Sequence, residues 1–226
     1  MSHAWHRNNR VLFEKEIAEV KAAFPQLHFH VVNDVVLLRG TYLVVHDGEE
    51  VDRFSIEIEL SQNHPESLPV VREVGGRIPR HADRHVNAAD GTACVLLPDE
   101  QWRLWPKGSS LRAYLDGPLR NYFLGQIAVE LGQPWPFGEW KHGADGIIQY
   151  YAELVGSDDP NVIADFLDCL RAKKTKGHWP CPCGNGRRLR DCHQDFLRDL
   201  REKIPCRVAD ESLERLCSHL RKDGCR

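Results

Sequence analysis

Residues 51–60, VDRFSIEIEL, alternate between polar and apolar side chains from Arg53 to Leu60. In an extended strand this alternation puts the large apolar side chains on one face and the polar ones on the other. The apolar set comprises Phe54, Ile56, Ile58 and Leu60. A strand with one polar face belongs to a sheet that is covered on one side only, which favours antiparallel pairing. The stretch therefore predicts an antiparallel sheet with one face towards water.

Three neighbouring segments supply the other strands of this sheet. Residues 27–32 and 35–45 are rich in β-branched side chains and are separated by Asn33-Asp34, which suits a tight turn. Asp47-Gly48 forms the next turn, into the alternating strand. A short apolar segment at residues 70–74 is the last candidate. The order predicts a four-stranded antiparallel meander.

A helix precedes the meander. Residues 10–24 carry apolar side chains at spacings of three and four, with charged residues between them. The apolar set comprises Phe13, Ile17, Val20 and Phe24. Asn8 or Asn9 can cap the start of this helix, and Pro25 ends it. We assign the stripe to the core.

Helical periodicity returns after a long irregular stretch, residues 75–108. It begins near Ser109 and is interrupted by Gly117-Pro118, which we expect to kink or split the helix. Residues 146–155 and 161–171 predict two more helices. The predicted fold class is α+β, with an N-terminal helix, a four-stranded antiparallel meander and C-terminal helices.

Length and charge limit the possible partners and location. The chain has 226 residues and a net charge of −3, which gives no reason to expect binding to nucleic acid or to an anionic membrane. No apolar run reaches the roughly 20 residues that cross a bilayer, and the N-terminal residues lack the apolar core of a signal peptide. We expect a cytoplasmic protein, whose eight cysteines are thiols or metal ligands.

The stretch from residue 85 to 105, HVNAADGTACVLLPDEQWRLW, contains the candidate site. Cys94 follows the small-residue turn Asp90-Gly91-Thr92-Ala93, where a thiol has little steric cover. An accessible thiol can act as a nucleophile once it is deprotonated. Spacing alone leaves open the alternative that Cys94 is a half-buried loop thiol.

The motifs around Cys94 resemble those of the ubiquitin-conjugating enzyme family. Residues 64–70, HPESLPV, resemble its Tyr-Pro-x-x-Pro-Pro-x-Val turn, and residues 85–87, HVN, resemble its His-Pro-Asn tripeptide. Residues 90–95, DGTACV, resemble its Asn-Gly-x-Ile-Cys-Leu signature. Trp102 and Pro106 stand where the family has a downstream tryptophan and a nearby proline.

The resemblance covers about residues 8–133 and implies the UBC fold. It implies an enzyme that receives a ubiquitin-like protein from an adenylating enzyme and passes it to an amine on a target protein. The chain departs from these motifs, with His64 in place of the tyrosine and Val86 in place of the proline of the tripeptide. Divergent bacterial relatives, encoded beside such partners in immunity-type operons, are expected to depart from the motifs in a similar way. The expectation is therefore a member of a bacterial, antiphage-type conjugation pathway.

The resemblance also implies roles for individual residues. Cys94 would carry the thioester, and Asn87 would stabilise the carbonyl oxyanion or brace the loop that does so. His85 would hold the loop by hydrogen bonds, with action as a base as the alternative. Asp99 is the one candidate for the acidic residue that often follows the family's cysteine.

Residues 180–193, PCPCGNGRRLRDCH, predict a metal site. Two cysteines separated by one residue and a later Cys-His pair give the four ligands that a closed structural zinc site requires: Cys181, Cys183, Cys192 and His193. The pattern resembles the SEC-C motif, known from the C-terminus of the secretion ATPase SecA. The remaining cysteines have no ligand spacing and are interpreted as incidental thiols: Cys169, Cys206, Cys217 and Cys225.

A basic, polar linker, RAKKTKGH at residues 171–178, predicts the domain boundary. We assign residues 1–172 to the ubiquitin-conjugating-like domain with a helical extension, and residues 173–226 to the zinc-binding module. The lysines of this linker and the arginines among the metal ligands could contact an acidic protein surface or nucleic acid, or form a solvated face.

Two other functions stay open at the level of sequence. A catalytically inactive UBC-fold adaptor or zinc-binding interaction protein would keep the fold without thioester chemistry. A Cys/His hydrolase would use Cys94 as nucleophile with His85 or His81 as base, but no third orienting residue can be named for it.

Overall fold

Four strands form one antiparallel sheet in the computed structural model, which describes residues 4–138, 140, 141 and 143–222, with only the backbone of Lys222. The strands are β1 (Leu27–Val32), β2 (Val35–His46), β3 (Glu49–Leu60) and β4 (Val70–Glu73). They lie side by side in the order β1-β2-β3-β4, so the predicted meander is confirmed.

The first two hairpins of the meander close through two-residue turns with left-handed backbone. Asn33 and Asp34 have φ of 50° and 63° between β1 and β2. Asp47 and Gly48 have φ of 50° and 84° between β2 and β3. Positive φ at both central residues suits the right-handed twist of a hairpin, and Asn, Asp and Gly adopt it at low cost. The turn residues therefore set the register where each hairpin starts, and the β2–β3 register shifts once more between Val44 and Val45.

The alternation in β3 separates a buried face from a polar one, as predicted. The predicted apolar side chains are at most 2% exposed. They pack in the core with apolar residues of the preceding and following helices, such as Val20 and Phe123. On the opposite face Arg39 donates a 2.6 Å hydrogen bond to Glu57. One face of the sheet therefore packs against the helices and forms one side of the core.

Two helices precede the sheet, and the longer one is the predicted helix. α1 spans Trp5–Asn8 and α2 spans Arg10–Ala23. The Asn9 side chain accepts from the backbone N–H of Leu12 at 3.2 Å and so caps α2. α1 was missed because four residues are too few to show a helical period.

The remaining helices follow the sheet. They are α3 (Gln101–Leu104), α4 (Leu111–Tyr114), α5 (Arg120–Glu130), α6 (Ala144–Val155), α7 (Pro160–Arg171), α8 (Gln194–Lys203) and α9 (Cys206–Lys222). A π-helical turn at Leu115–Leu119 joins α4 to α5 and contains Pro118. Proline has no N–H for the regular ladder, so the predicted interruption at Gly117-Pro118 is confirmed. None of the helices in the described part of the chain combines the length and the hydropathy needed to cross a bilayer.

The described residues divide into two compact units. The first contains the residues up to Leu96 and Arg103–Gly138, and includes the sheet, α2, α4 and α5. The second contains Leu97–Trp102 and the described residues from Trp140 onwards, including α6–α9. The boundary predicted near residue 172 falls inside the second unit, because α6 and α7 bury their apolar side chains in one core with α8 and α9.

Candidate functional site

Cys94 is exposed, on the loop that follows β4. Its backbone N–H donates to the carbonyl of His85 at 2.7 Å, and the N–H of Ala93 donates to the carbonyl of Val71 in β4 at 2.8 Å. Val86 also pairs with Ala93 in an isolated antiparallel bridge. The backbone at Cys94 is thus tied to two neighbouring segments while the side chain reaches solvent.

The turn before Cys94 is closed by its own hydrogen bonds. The N–H of Asn87 donates to the carbonyl of Thr92 at 2.8 Å, and the N–H of Gly91 donates back to the carbonyl of Asn87 at 2.9 Å. The Asp90 carboxylate accepts from the Thr92 hydroxyl at 2.7 Å and from its N–H at 3.0 Å, and these bonds lower the pKa of Asp90. Gly91 has φ of 72°, a conformation that suits glycine.

Asn87 is exposed and braces this turn from within. Its Oδ1 accepts from the N–H of Ala89 at 3.1 Å. Among the residues that the structure describes, its amide nitrogen has no acceptor, so the NH₂ group is available as a donor. The same side chain therefore has one atom that holds the loop and one that could stabilise an oxyanion.

His85 contributes to the site through its backbone and its ring. The residue adopts the left-handed conformation, with φ of 48° and ψ of 41°. Its carbonyl accepts from Cys94, and the Tyr122 hydroxyl donates to the same oxygen at 3.5 Å. Burial raises the pKa of Tyr122, which keeps the phenol protonated as a donor. The His85 ring lies 4.2 Å from the ring of Trp135, centroid to centroid.

His81, the other base considered for a hydrolase, lies at the start of a short 3₁₀ helix. Its side chain is 66% exposed, and its Nδ1 accepts from the N–H of Asp83 at 3.3 Å. The ring therefore caps that turn.

Asp99, the candidate acidic residue after Cys94, is buried. It is 2% exposed within the second unit, and its carboxylate accepts from the hydroxyls of Tyr151 at 2.7 Å and of Ser212 at 2.8 Å. Burial raises its pKa. The backbone carbonyl of Asp99 accepts from Tyr150, whose hydroxyl accepts from the indole N–H of Trp102 at 2.9 Å. Asp99 and Trp102 thus anchor Leu97–Trp102 within the second unit.

The four predicted metal ligands converge in the second unit. One potential ligand atom from each of Cys181, Cys183, Cys192 and His193 lies within 4.8 Å of every other. The His193 Nδ1 is 3.1 Å from the sulfur of Cys181 and 3.2 Å from that of Cys192, and the sulfurs of Cys183 and Cys192 are 3.7 Å apart. The sulfur–sulfur distance of 3.7 Å lies within the roughly 3.5–3.8 Å that separates ligand atoms around a tetrahedral zinc ion, whereas the distances to His193 are a few tenths of an ångström shorter. The four residues could therefore hold a metal ion after a small adjustment of the His193 ring.

The chain folds back on itself to bring the ligands together. The N–H of Cys181 donates to the carbonyl of Arg187 at 2.9 Å, which closes a narrow hairpin. Gly184 and Gly186, with φ of 72° and 75°, make the turn. The Asn185 amide donates to the sulfur of Cys192 at 3.1 Å, an outer contact of the kind that orients a ligand.

The thiols of the cluster differ in acidity. Burial raises the pKa of Cys181 to about 12. At Cys192 burial acts in the same direction, but the hydrogen bond from Asn185 and the neighbouring thiols outweigh it and lower the pKa. A metal ion binds thiolates, so its binding would displace these protons. Cys169, Cys206 and Cys217 lie outside the cluster, and Cys225 lies outside the described residues.

Three residues that support the Cys94 loop could not be named from the sequence: Tyr122, Gln126 and Trp135. Each lies more than 30 positions from the residue it contacts. Comparison of the chain with protein-family models, curated proteins and solved structures found no match. The interpretation of both sites therefore depends on their residues and geometry.

Proposed function

We propose that this chain is a ubiquitin-conjugating-type acyltransferase that carries the C-terminus of a ubiquitin-like protein as a thioester on Cys94. The observation that carries the proposal is the exposed Cys94 thiol on a loop whose backbone is held from both sides. The order of elements in the first unit supports it, since a helix, a four-stranded antiparallel meander and further helices are the order expected of the UBC fold.

The reaction has two acyl-transfer steps. The Cys94 thiolate attacks the thioester carbonyl that joins the modifier to a cysteine of the adenylating enzyme, and that cysteine leaves as a thiolate. An amine of the target then attacks the new thioester, the C–S bond to Cys94 breaks, and an amide forms. The amine loses its proton to solvent and Cys94 departs as a thiolate. The adenylating enzyme consumes ATP before either step.

The amine step places the greater demand on the site, because negative charge develops on the carbonyl oxygen. The amide nitrogen of Asn87, seven residues before Cys94, is the side-chain donor that we assign to this charge. The loop that carries Asn87 is joined to the Cys94 segment by the 2.8 Å bond between Asn87 and Thr92. Donor and nucleophile are therefore held on one small piece of backbone.

The C-terminal cluster would hold one structural zinc ion. All four ligand positions are filled by protein atoms, which leaves no position for a substrate or a reactive water. Bound zinc supplies a cross-link that stabilises the fold of the surrounding residues. We assign this module a docking role in a cytoplasmic bacterial conjugation pathway of the antiphage type.

Reconstitution tests the proposal. The purified chain is mixed with ATP, a bacterial adenylating enzyme and the ubiquitin-like protein that this enzyme activates, and adducts are resolved on a non-reducing gel. We expect an adduct on Cys94 that dithiothreitol removes. An adaptor would bind the modifier without any covalent adduct, and a hydrolase would cleave conjugates instead of forming them.

A further inference from the structure

Gln126 is a fully buried polar residue on α5, with 0% exposure. Its amide makes two hydrogen bonds in opposite directions with one residue. The Nε2 group donates to the backbone carbonyl of Arg84 at 2.6 Å, and the Oε1 atom accepts from the Arg84 guanidinium at 2.9 Å. A buried amide with both ends engaged fixes its partner closely, because breaking either bond leaves a buried polar group without a partner.

The carbonyl that Gln126 holds belongs to the peptide bond immediately before His85. His85 then takes the left-handed conformation, and its own carbonyl accepts the Cys94 N–H at 2.7 Å. The orientation of the Arg84–His85 peptide therefore sets the direction of the carbonyl that holds Cys94. The carbonyl that Gln126 holds and the carbonyl that holds Cys94 therefore belong to adjacent residues.

The residue next to Gln126 supports the same turn through Trp135. A Cβ atom at Gly125 would lie 2.5 Å from the ring of Trp135, so the indole rests directly on the helix backbone. Trp135 in turn contacts the ring of His85. Two adjacent positions of α5 thus hold the backbone before His85 and the ring of His85.

We propose that Gln126 is a positioning residue for Cys94, acting through the Arg84 carbonyl and the His85 turn. The functional part of this inference rests on the proposed thioester chemistry. Attack on a bound carbonyl is sensitive to small displacements, and an error of about 1 Å can cost about 10²-fold in rate. Release of the His85 turn should therefore slow discharge to an amine more than it weakens binding of the partners.

The structural part is tested without any partner, by hydrogen exchange at the Cys94 amide in the full-length zinc-loaded chain. In Gln126→Met the exchange rate of this amide should rise by about tenfold, the effect of losing one or two ordinary hydrogen bonds. Gln126→Glu keeps the acceptor for the Arg84 guanidinium but loses the donor, so the exchange rate of the Cys94 amide should rise in this variant too. If Gln126→Met fails to fold, Gln126→Glu provides the same test.

Tyr42→Phe is the matched control. It removes a buried side-chain donor from another backbone carbonyl of the first unit, that of Leu115 at 2.6 Å. The Cys94 amide should exchange at the parental rate in this variant. A parental rate in both Gln126 variants, or an equal increase in Tyr42→Phe, would overturn the positioning role.

The activity readout separates this inference from the proposed function. In single-turnover discharge of pre-charged protein, Gln126→Met should lower the rate constant at saturating amine at least fivefold. The amine concentration that gives half of this rate should stay within twofold of the parental value. If Gln126→Met discharges at the parental rate although its Cys94 amide exchanges faster, the effect of Gln126 on discharge is disproved. If the parental chain forms no thioester, the proposed function fails, whereas the exchange experiment still decides whether Gln126 positions Cys94.

Discussion

The Oδ1 atom of Asn87 accepts a hydrogen bond from the backbone N–H of Ala89 at 3.1 Å, so the side chain expected to act on an oxyanion also holds its own loop. The two roles use different atoms of the amide, since the loop bond needs the oxygen and the oxyanion needs the nitrogen. A pair of substitutions can therefore separate them.

We predict that Asn87→Ala and Asn87→Asp both slow discharge of Cys94 to free lysine by about 10²–10³-fold, the effect of losing one oxyanion donor. Charging of Cys94 should stay near the parental rate, because thiolate attack on a thioester needs less help with the oxyanion. Single-turnover discharge of pre-charged protein measures the effect.

Asn87→Asp is the informative control, because its carboxylate can still accept from the Ala89 N–H. If the Asp variant discharges at the parental rate while the Ala variant does not, the role of Asn87 is to brace the loop. If both variants discharge normally, Asn87 does not belong to the site.

We predict that Cys94 is the residue that carries the ubiquitin-like protein. Cys94→Ser should form an oxyester adduct that survives reducing agent, because an oxyester resists thiolysis, and Cys94→Ala should form none. Cys206→Ala, which removes another exposed cysteine, should charge like the parent. Non-reducing and reducing gels separate the cases. An adduct on the Ala variant would assign the carrier role to a different cysteine.

Metal analysis of the purified chain should give one zinc per molecule. Cys183→Ser should abolish binding and destabilise the second unit while sparing the first, because a structural zinc site contributes about 10 kcal/mol or more to folding. Hydrogen exchange monitors the units separately. The control Cys206→Ser lies outside the ligand cluster and should keep the metal. Well under one zinc per parental chain would contradict the prediction.

The buried carboxyl of Asp99 makes the stability of the second unit depend on pH. Burial raises its folded pKa above the unfolded value, so the folded state binds the proton more tightly. The free energy of unfolding contributed by this group therefore falls as pH rises from about 4 through the raised pKa. In Asp99→Asn, which can still accept from Tyr151 and Ser212, this part of the pH dependence should be absent.

Urea unfolding of the second unit, followed by hydrogen exchange from pH 4 upwards, measures the difference. The variant should gain stability relative to the parent as pH rises. If the stability of the parent and that of Asp99→Asn change equally over this range, the folded protein does not raise the pKa of Asp99 and the prediction is wrong.

The sequence predicted the features that depend on neighbouring residues. The alternation of residues 51–60 and the turns at Asn33-Asp34 and Asp47-Gly48 predicted the meander, because strand faces and hairpin turns are set by side chains close together in the chain. The spacing of the metal ligands predicted their convergence for the same reason, since one hairpin between residues 181 and 187 brings them together.

Tertiary structure alone decided how the Cys94 loop is held and where Asp99 lies. Gln126 reaches Arg84 across 42 positions, and Ser212 reaches Asp99 across 113. Neither pair leaves a periodic trace in the sequence, because the contact exists only after helices and loops have packed and excluded water. Burial then turns ordinary polar residues into strong constraints, since a buried donor or carboxylate must find its partner inside the protein. The sequence thus determined the strands, the exposed cysteine turn and the ligand set, and packing determined which distant side chains hold them in place.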